Sequence, residues 1–343
     1  MERGELEVKK QVKAKPNQTV VLKSPVYIIG SYSVAGKKEG AGPLGKTFSK
    51  VVDDEYFGCK THEQAEQKMF EYAIRGAIKQ SKVEPEMLMA GDLLNQIISS
   101  SFAARSFDMP FIGLYGACST MALSLSMGSL MISSGFRKSV VVAAGSHWAT
   151  AERQYRTPME LGNTRPPVSQ WTVTGVGSCV LSGNPAPKSP KITAVTFGKV
   201  CDWGTIDVNN MGAAMAPAAA ETVVAHFKDT KTTVKDFDAI YTGDLGKMGS
   251  QIFRDLVANE NYKVDGRYKD CGCLIYDNQQ TQYQGGSGCG CSAVTLNGHI
   301  MKKLKSGEYK KILFVATGAL LSPVSSFQGN SIPSIAHAVV VEG

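Results

Sequence analysis

GACSTMALSLSMGSLMISSGFRKSVVVAAGS, residues 116–146, has a counterpart near the end of the chain, GCGCSAVTLNGHIMKKLKSGEYKKILFVATGA, residues 288–319. Each copy opens with a tight Gly-containing loop and passes through Cys-Ser into a segment of helix length. Each then turns at a Gly near a basic residue and runs into a β-branched strand that ends on a small residue and Gly. The spacing from Cys118 to Gly145 is 27 positions, and so is that from Cys291 to Gly318. The helical parts lie in two stretches without Asp, Glu, Lys or Arg, residues 109–136 and 278–301. Either is long enough to consider as a membrane span. The first, however, holds Pro110, four glycines and many serines, and the second is rich in Gln and Gly. A helix uncharged on every face and only partly apolar is expected inside a protein.

More pairs follow in the same order. MLMAGDLLNQ (87–96) matches AIYTGDLGKMG (239–249), and PVYIIGSYSVAG (25–36) matches KITAVTFGKVCDWG (191–204). VGSCVLSG (176–183) matches SIAHAVVVEG (334–343). A period this long does not make a solenoid. It predicts two similar halves, 25–183 and 191–343, after an N-terminal extension, 1–24. A linker, 184–190, lies in the Pro-rich run SGNPAPKSP. Within the first half, Met69, Phe70, Ala73, Ile74, Ala77 and Ile78 give one apolar face to a helix over 61–82, with Thr61 as its N-cap. Further helices are expected near 218–228 and 250–260. Strands alternating with helices imply mostly parallel sheets with helices on their faces. With one buried helix per half, the expected fold is α/β in five layers, α-β-α-β-α.

Composition excludes several classes. With 343 residues, 43% hydrophobic and 20% charged, the chain is neither disordered nor collagen-like. A formal charge of +7, mostly scattered, permits an anionic ligand or membrane surface without requiring nucleic acid. Eight cysteines in a chain this large, behind a charged start without an apolar core, are expected to be reduced thiols.

The ordered set GPLG (42–45), AGDLLNQ (90–96), GACST (116–120), TAER (150–153), MGAAMAPAAAET (211–222), GGSGCGCSAV (285–294), VATGALLSP (315–323) and SIPSIAHAVV (331–340) resembles the thiolase superfamily. Within it the match is to the stage V sporulation protein AD family (SpoVAD). The resemblance covers residues 25–343. It implies the thiolase-like five-layered fold, with Cys118 at the position of the family's nucleophile. It also implies that one partner, a His, would follow the strand DAIYTGD (238–244), and that another would come from QGGSGCGC (284–291). Neither place holds His or Asn in this chain. Without those groups an oxyanion loses on the order of 3 kcal/mol of stabilisation per donor.

From the residues alone, Cys118 follows a strand and begins a helix, where the partial positive charge lowers a thiol's pKa. The Gly-rich loop with Gly286 and Ser287 leads into a helix, so its N–H groups can hold a carboxylate; alternatively Gly only shapes the turn. Asp92 and Asp244 end paired strands, either capping their loops or meeting a cation. His147, after the strand at 139–144, and His337, in the last strand, lie within reach of a pocket, although a lone His near an apolar strand is more often a core residue. Arg153, Arg156 and Arg165 follow the same strand as His147, where an arginine can pair with a carboxylate.

The resemblance implies a non-catalytic protein that binds pyridine-2,6-dicarboxylate (dipicolinic acid, DPA) and its calcium chelate, and takes part in loading DPA into the developing spore. It implies no cofactor and no resident metal, membrane-embedded partners encoded beside it, peripheral attachment to the inner spore membrane, and a homodimer. The Lys-rich start and residues 302–311 suit an anionic membrane surface. Two other readings stand beside this one. The first is an active condensing or acyl-transfer enzyme using Cys118. The second is a metal protein using Cys271, Cys273, Cys289 and Cys291, whose CxC spacing departs from the two to four residues usual between paired zinc ligands.

Overall fold

The computed structural model describes residues 17–155, 165–264, 266–280 and 283–343. Thirteen strands occur among them: β1 (Thr19–Ala35), β2 (Lys50–Val51), β3 (Leu88–Gly91), β4 (Phe111–Gly113), β5 (Ser139–Ser146), β6 (Trp171–Thr172), β7 (Gly175–Ser182), β8 (Lys191–Phe197), β9 (Ala239–Thr242), β10 (Tyr268–Asp270), β11 (Gly286–Ser287), β12 (Lys311–Ala319) and β13 (Ser334–Glu342). The helices are α1 (Lys37–Gly40), α2 (His62–Ser81), α3 (Ile98–Ala104), α4 (Thr120–Ser133), α5 (Trp148–Tyr155), α6 (Met211–Thr230), α7 (Gly246–Asn259), α8 (Cys271–Ile275), α9 (Cys289–Thr295), α10 (Met301–Lys305) and α11 (Pro323–Phe327).

The same strand order appears twice. One set runs β4-β3-β5-β7-β1 and the other β10-β9-β12-β13-β8. In each, the first two pairings are parallel and the last two antiparallel. The sheets are thus evenly mixed rather than mostly parallel. β1 joins the sets edge to edge because it is 17 residues long. Its first part pairs with β8 and its second with β7, and Pro25 lies in the register shift between Val21 and Val26. A proline has no N–H for the ladder, so such an irregularity is where a strand accommodates one.

Three apolar clusters fill the spaces between the five layers. α2 packs on the first sheet through Met69, Phe70 and Ile74, against Val141 and Val180. α6 covers the second sheet through Val223 and Phe227, against Leu313 and Val340. The central cluster holds Met121 and Leu125 of α4 with Val294 and Phe314. α4 touches strands of both sheets, and α9 touches β5, β7 and β12, so both charge-free helices lie inside. α4 tolerates this although it carries serines. Ser126, for example, returns its hydroxyl to the Ala122 carbonyl at 2.8 Å. α9 and α10 form one rod interrupted by a π turn at Leu296–Ile300. There the buried Asn297 bonds the Ala293 carbonyl and accepts from the Cys179 thiol. Among the described residues no helix is long and apolar enough to cross a membrane.

Candidate functional site

The strand-to-helix turn at Gly116–Ser119 brings Cys118 to the end of a cavity between the halves. Ala117 takes φ +48, a left-handed conformation that strains a non-glycine residue. Ser119 and Thr120 brace the turn through the carbonyls of Gly116 and Ala117. The cavity holds about 60 Å³ of space for water-sized occupants, and about 530 Å³ once its open mouth is counted. Apolar side chains such as Leu93, Met211 and Met215 line it together with a few polar groups: Cys118, Tyr115, Tyr155, Glu152, Thr172 and Ser287.

Cys118 meets Asp244. The Asp244 carboxylate accepts from the Thr317 hydroxyl at 2.7 Å, the Gly288 N–H at 2.9 Å and the Ser287 hydroxyl at 3.3 Å, and the Cys118 thiol lies beside it. Gly288 enables this bond through φ +94, a conformation that favours glycine. The loop ahead of α9 therefore does hold a carboxylate, and it is the protein's own. Burial pushes Asp244 up to about 7 despite these donors. The thiol moves the opposite way from what a helix N-terminus alone predicts. Desolvation, and then the negative charge of Asp244, push Cys118 well above the usual thiol range. Cys118 also lies two residues ahead of α4, in the turn, whereas Cys291 is the third residue of α9 and fully buried.

A rigid frame holds Asp244. Asp270 caps α8 and accepts from the N–H groups of Leu245 and Gly246 and from the Thr242 hydroxyl. The Gln170 amide bridges the carbonyls of Asp244 and Gly286. Cys118, Asp244, Ser287 and Gly286 are thereby brought together, and the other candidates are elsewhere. Asp92 is fully buried and accepts from Leu94 N–H, Ser100 N–H and the Ser100 hydroxyl at 2.7–2.9 Å, bracing α3. The His147 ring contacts the Glu55 carbonyl and the Ala149 N–H and lies beside His62, toward α2. Burial lowers it to about 4, so it is neutral at pH 7. His337, also lowered to about 4 by burial, accepts from Gly198 N–H against the Phe197 ring. Arg153 pairs with Glu63 of α2. Arg156 lies outside the described residues. None of the five histidines lines the cavity.

The sequence reading missed Tyr115, Tyr155 and Glu152. Tyr115 lies three residues before Cys118, and Glu152 lies inside TAER, so both were in view, but nothing in spacing alone marks a wall residue. Glu152 is paired with Arg165 at 2.8 Å, and the Arg165 guanidinium stacks on Trp171 at 4.2 Å. The four C-terminal cysteines do not converge. Cys289 donates to the Gly145 carbonyl and Cys273 lies beside Ser250. Among the described residues no group of three His, Cys, Asp or Glu is placed to hold a metal ion.

The solved structures similar to this one are condensing enzymes. The 3-oxoacyl-[acyl-carrier-protein] synthase III of Aquifex aeolicus VF5 aligns over 93% of this chain and 100% of its own, with a TM-score of 0.58 and 12% identity. A variant of Xanthomonas campestris OleA aligns over 94% and 100%, with a TM-score of 0.59 and 14% identity. At such identities the likeness shows the fold. The curated stage V sporulation protein AD of Bacillus subtilis (strain 168) is 43% identical over 328 residues, 95% of this chain and 96% of that protein. The family model "Stage V sporulation protein AD (SpoVAD)" matches residues 16–342. A thiolase-like fold, that match and that identity together mean that the chain belongs to the SpoVAD family of sporulation proteins.

Proposed function

We propose that this protein binds DPA, free or as its calcium chelate, in the cavity beside Cys118 without transforming it. In this role it serves DPA loading into the spore as a peripheral subunit of a membrane-embedded complex. One observation carries the non-catalytic part. The thiol at the nucleophile position lies against a buried carboxylate, and no histidine lines the cavity. A condensing thiolate needs a nearby cation or base to form, and an acid pair to handle protons. Asp244 opposes thiolate formation through its charge. What remains is a small, mostly apolar cavity with hydroxyls on its walls, which suits a planar aromatic acid. The family membership supports the sporulation setting.

Isothermal titration calorimetry with DPA, with and without calcium, tests the reading. Saturable binding is expected, weakened about fivefold by Ser287→Ala through loss of one hydrogen-bonding wall group. No heat at millimolar DPA overturns it. Intact-protein mass spectrometry after incubation with acyl-coenzyme A tests the competing enzyme reading, and an acyl adduct on Cys118 favours the enzyme.

A further inference from the structure

The cavity beside Cys118 and a shallower surface groove, formed by residues 94–97 and 320–323, share three wall residues, Tyr115, Tyr155 and Leu321. The two tyrosines meet there, with their hydroxyl oxygens 3.1 Å apart. They are not equivalent. The Tyr155 hydroxyl donates to the Leu93 carbonyl and so is held from behind. Tyr155 therefore accepts from Tyr115, and among the described residues this O–H···O bond is the one hydrogen bond of the Tyr115 hydroxyl. Tyr115 is also 47% exposed. Tyr155 is thus a fixed post and Tyr115 a leaf that closes against it through their shared O–H···O bond.

We propose that Tyr115 and Tyr155 control admission to the cavity and select planar aromatic carboxylates. Separating the two hydroxyls opens a slot between groove and cavity. A planar acid entering it meets the flat face of Tyr115, and the freed phenol O–H donates to its carboxylate. A flexible aliphatic diacid offers the carboxylates without the stacking face and is admitted less well. The choice of DPA as ligand rests on the reading above, whereas the gate does not, because Cys118 lines the same cavity as the two tyrosines and its alkylation reports access to that cavity directly.

The test measures alkylation of Cys118 by iodoacetamide in the full chain, read by peptide mass spectrometry. Cys59, which like Cys118 is partly exposed but lies outside the cavity, serves as internal control. Tyr115→Phe removes the O–H···O bond while keeping the ring, and Tyr155→Phe removes it together with the bond to the Leu93 carbonyl. Both are expected to label Cys118 about fivefold faster than wild type, with Cys59 unchanged. A fivefold change corresponds to about 1 kcal/mol, the usual worth of one such bond. In wild type, millimolar DPA is expected to protect Cys118 more than millimolar glutarate, and in Tyr115→Ala this preference is expected to shrink. Wild-type labelling rates in both Phe variants, with melting temperatures intact, overturn the gate. Equal protection by the two acids in wild type overturns the selectivity. If calorimetry detects no DPA binding while the Phe variants still label faster, the gate stands and the ligand assignment falls.

Discussion

Asp92 and Asp244 stand at matching places, each following the strand that is parallel to both of its neighbours in its half. Both are buried, and burial raises both. Their partners differ. Asp92 spends its oxygens on its own half, on Leu94 and Ser100 at the start of α3. Asp244 accepts from Thr317, Ser287 and Gly288 and also meets Cys118 of the other half. A repeated fold supplies two equivalent strand ends. One has become a structural cap, and the other the buried partner of the thiol that lines the cavity.

The first way to break this comparison is through pH. Asp244, at about 7 when folded against an ordinary 3.8, prefers its proton in the native state. Its contribution is therefore full below about pH 4 and is lost as pH rises through about 7. The gap corresponds to about 4 kcal/mol between those limits. Urea unfolding of Asp244→Asn is expected to show a shallower decline from pH 4 to pH 7 than wild type. Parallel pH profiles would mean that Asp244 is not strained by burial. Removing Asp92 comes next in size. Asp92→Ala leaves three buried donors without their acceptor, and a loss of about 3 kcal/mol is expected by chemical denaturation. Cys118 alkylation should stay at the wild-type rate in that variant, because Asp92 serves its own half. A changed rate would join the two carboxylates in one network.

A third test reads the site side alone. Removing the charge of Asp244 takes away the largest electrostatic cause that holds the Cys118 thiol up. In Asp244→Asn, Cys118 is expected to alkylate about tenfold faster at pH 8, equivalent to about 1.4 kcal/mol in thiolate population. An unchanged rate would leave desolvation as the whole cause and reduce Asp244 to a loop brace like Asp92.

Much of this contrast was legible in the residues and some was not. The two GDL segments, the two charge-free helices and the paired strands are written as local patterns, so the succession of elements along the chain and the layers followed from them, whereas the order of strands within the sheet did not. The mixed sheet did not, because the direction of β7 and β13 depends on which edge of the sheet a returning strand joins. Cys118 and Asp244 were both visible as candidates, but their contact was not, since it joins residues far apart in sequence across two halves. His147 shows the opposite case. Its position after β5 suggested the pocket, and only the packing of α2, with Glu55 and His62 beside the ring, turns it away. A helix N-terminus likewise predicts a lowered thiol pKa, and desolvation, followed by a buried carboxylate from the other half, outweighs it.

The smallest effect tests whether the halves differ anywhere but at the site. α2 and α6 are matching outer helices, each 20 residues long and each ending on a left-handed Lys, Lys82 and Lys231. Each has a side-chain N-cap. The Thr61 hydroxyl accepts from Gln64 N–H at 3.2 Å, and the Asn210 side chain accepts from Ala213 N–H at 3.3 Å. A cap of this kind contributes about 1 kcal/mol. Thr61→Ala and Asn210→Ala are each expected to lower stability by that amount in urea. The caps share no partner, so the double variant should lose the sum within a few tenths of a kcal/mol. Equal losses that add mean the outer layers remain interchangeable, with divergence confined to the loops around Cys118. A clearly larger loss at Asn210, in the half whose helix also holds Pro217, would instead place part of the divergence in the scaffold, with α6 depending more heavily on its first turn.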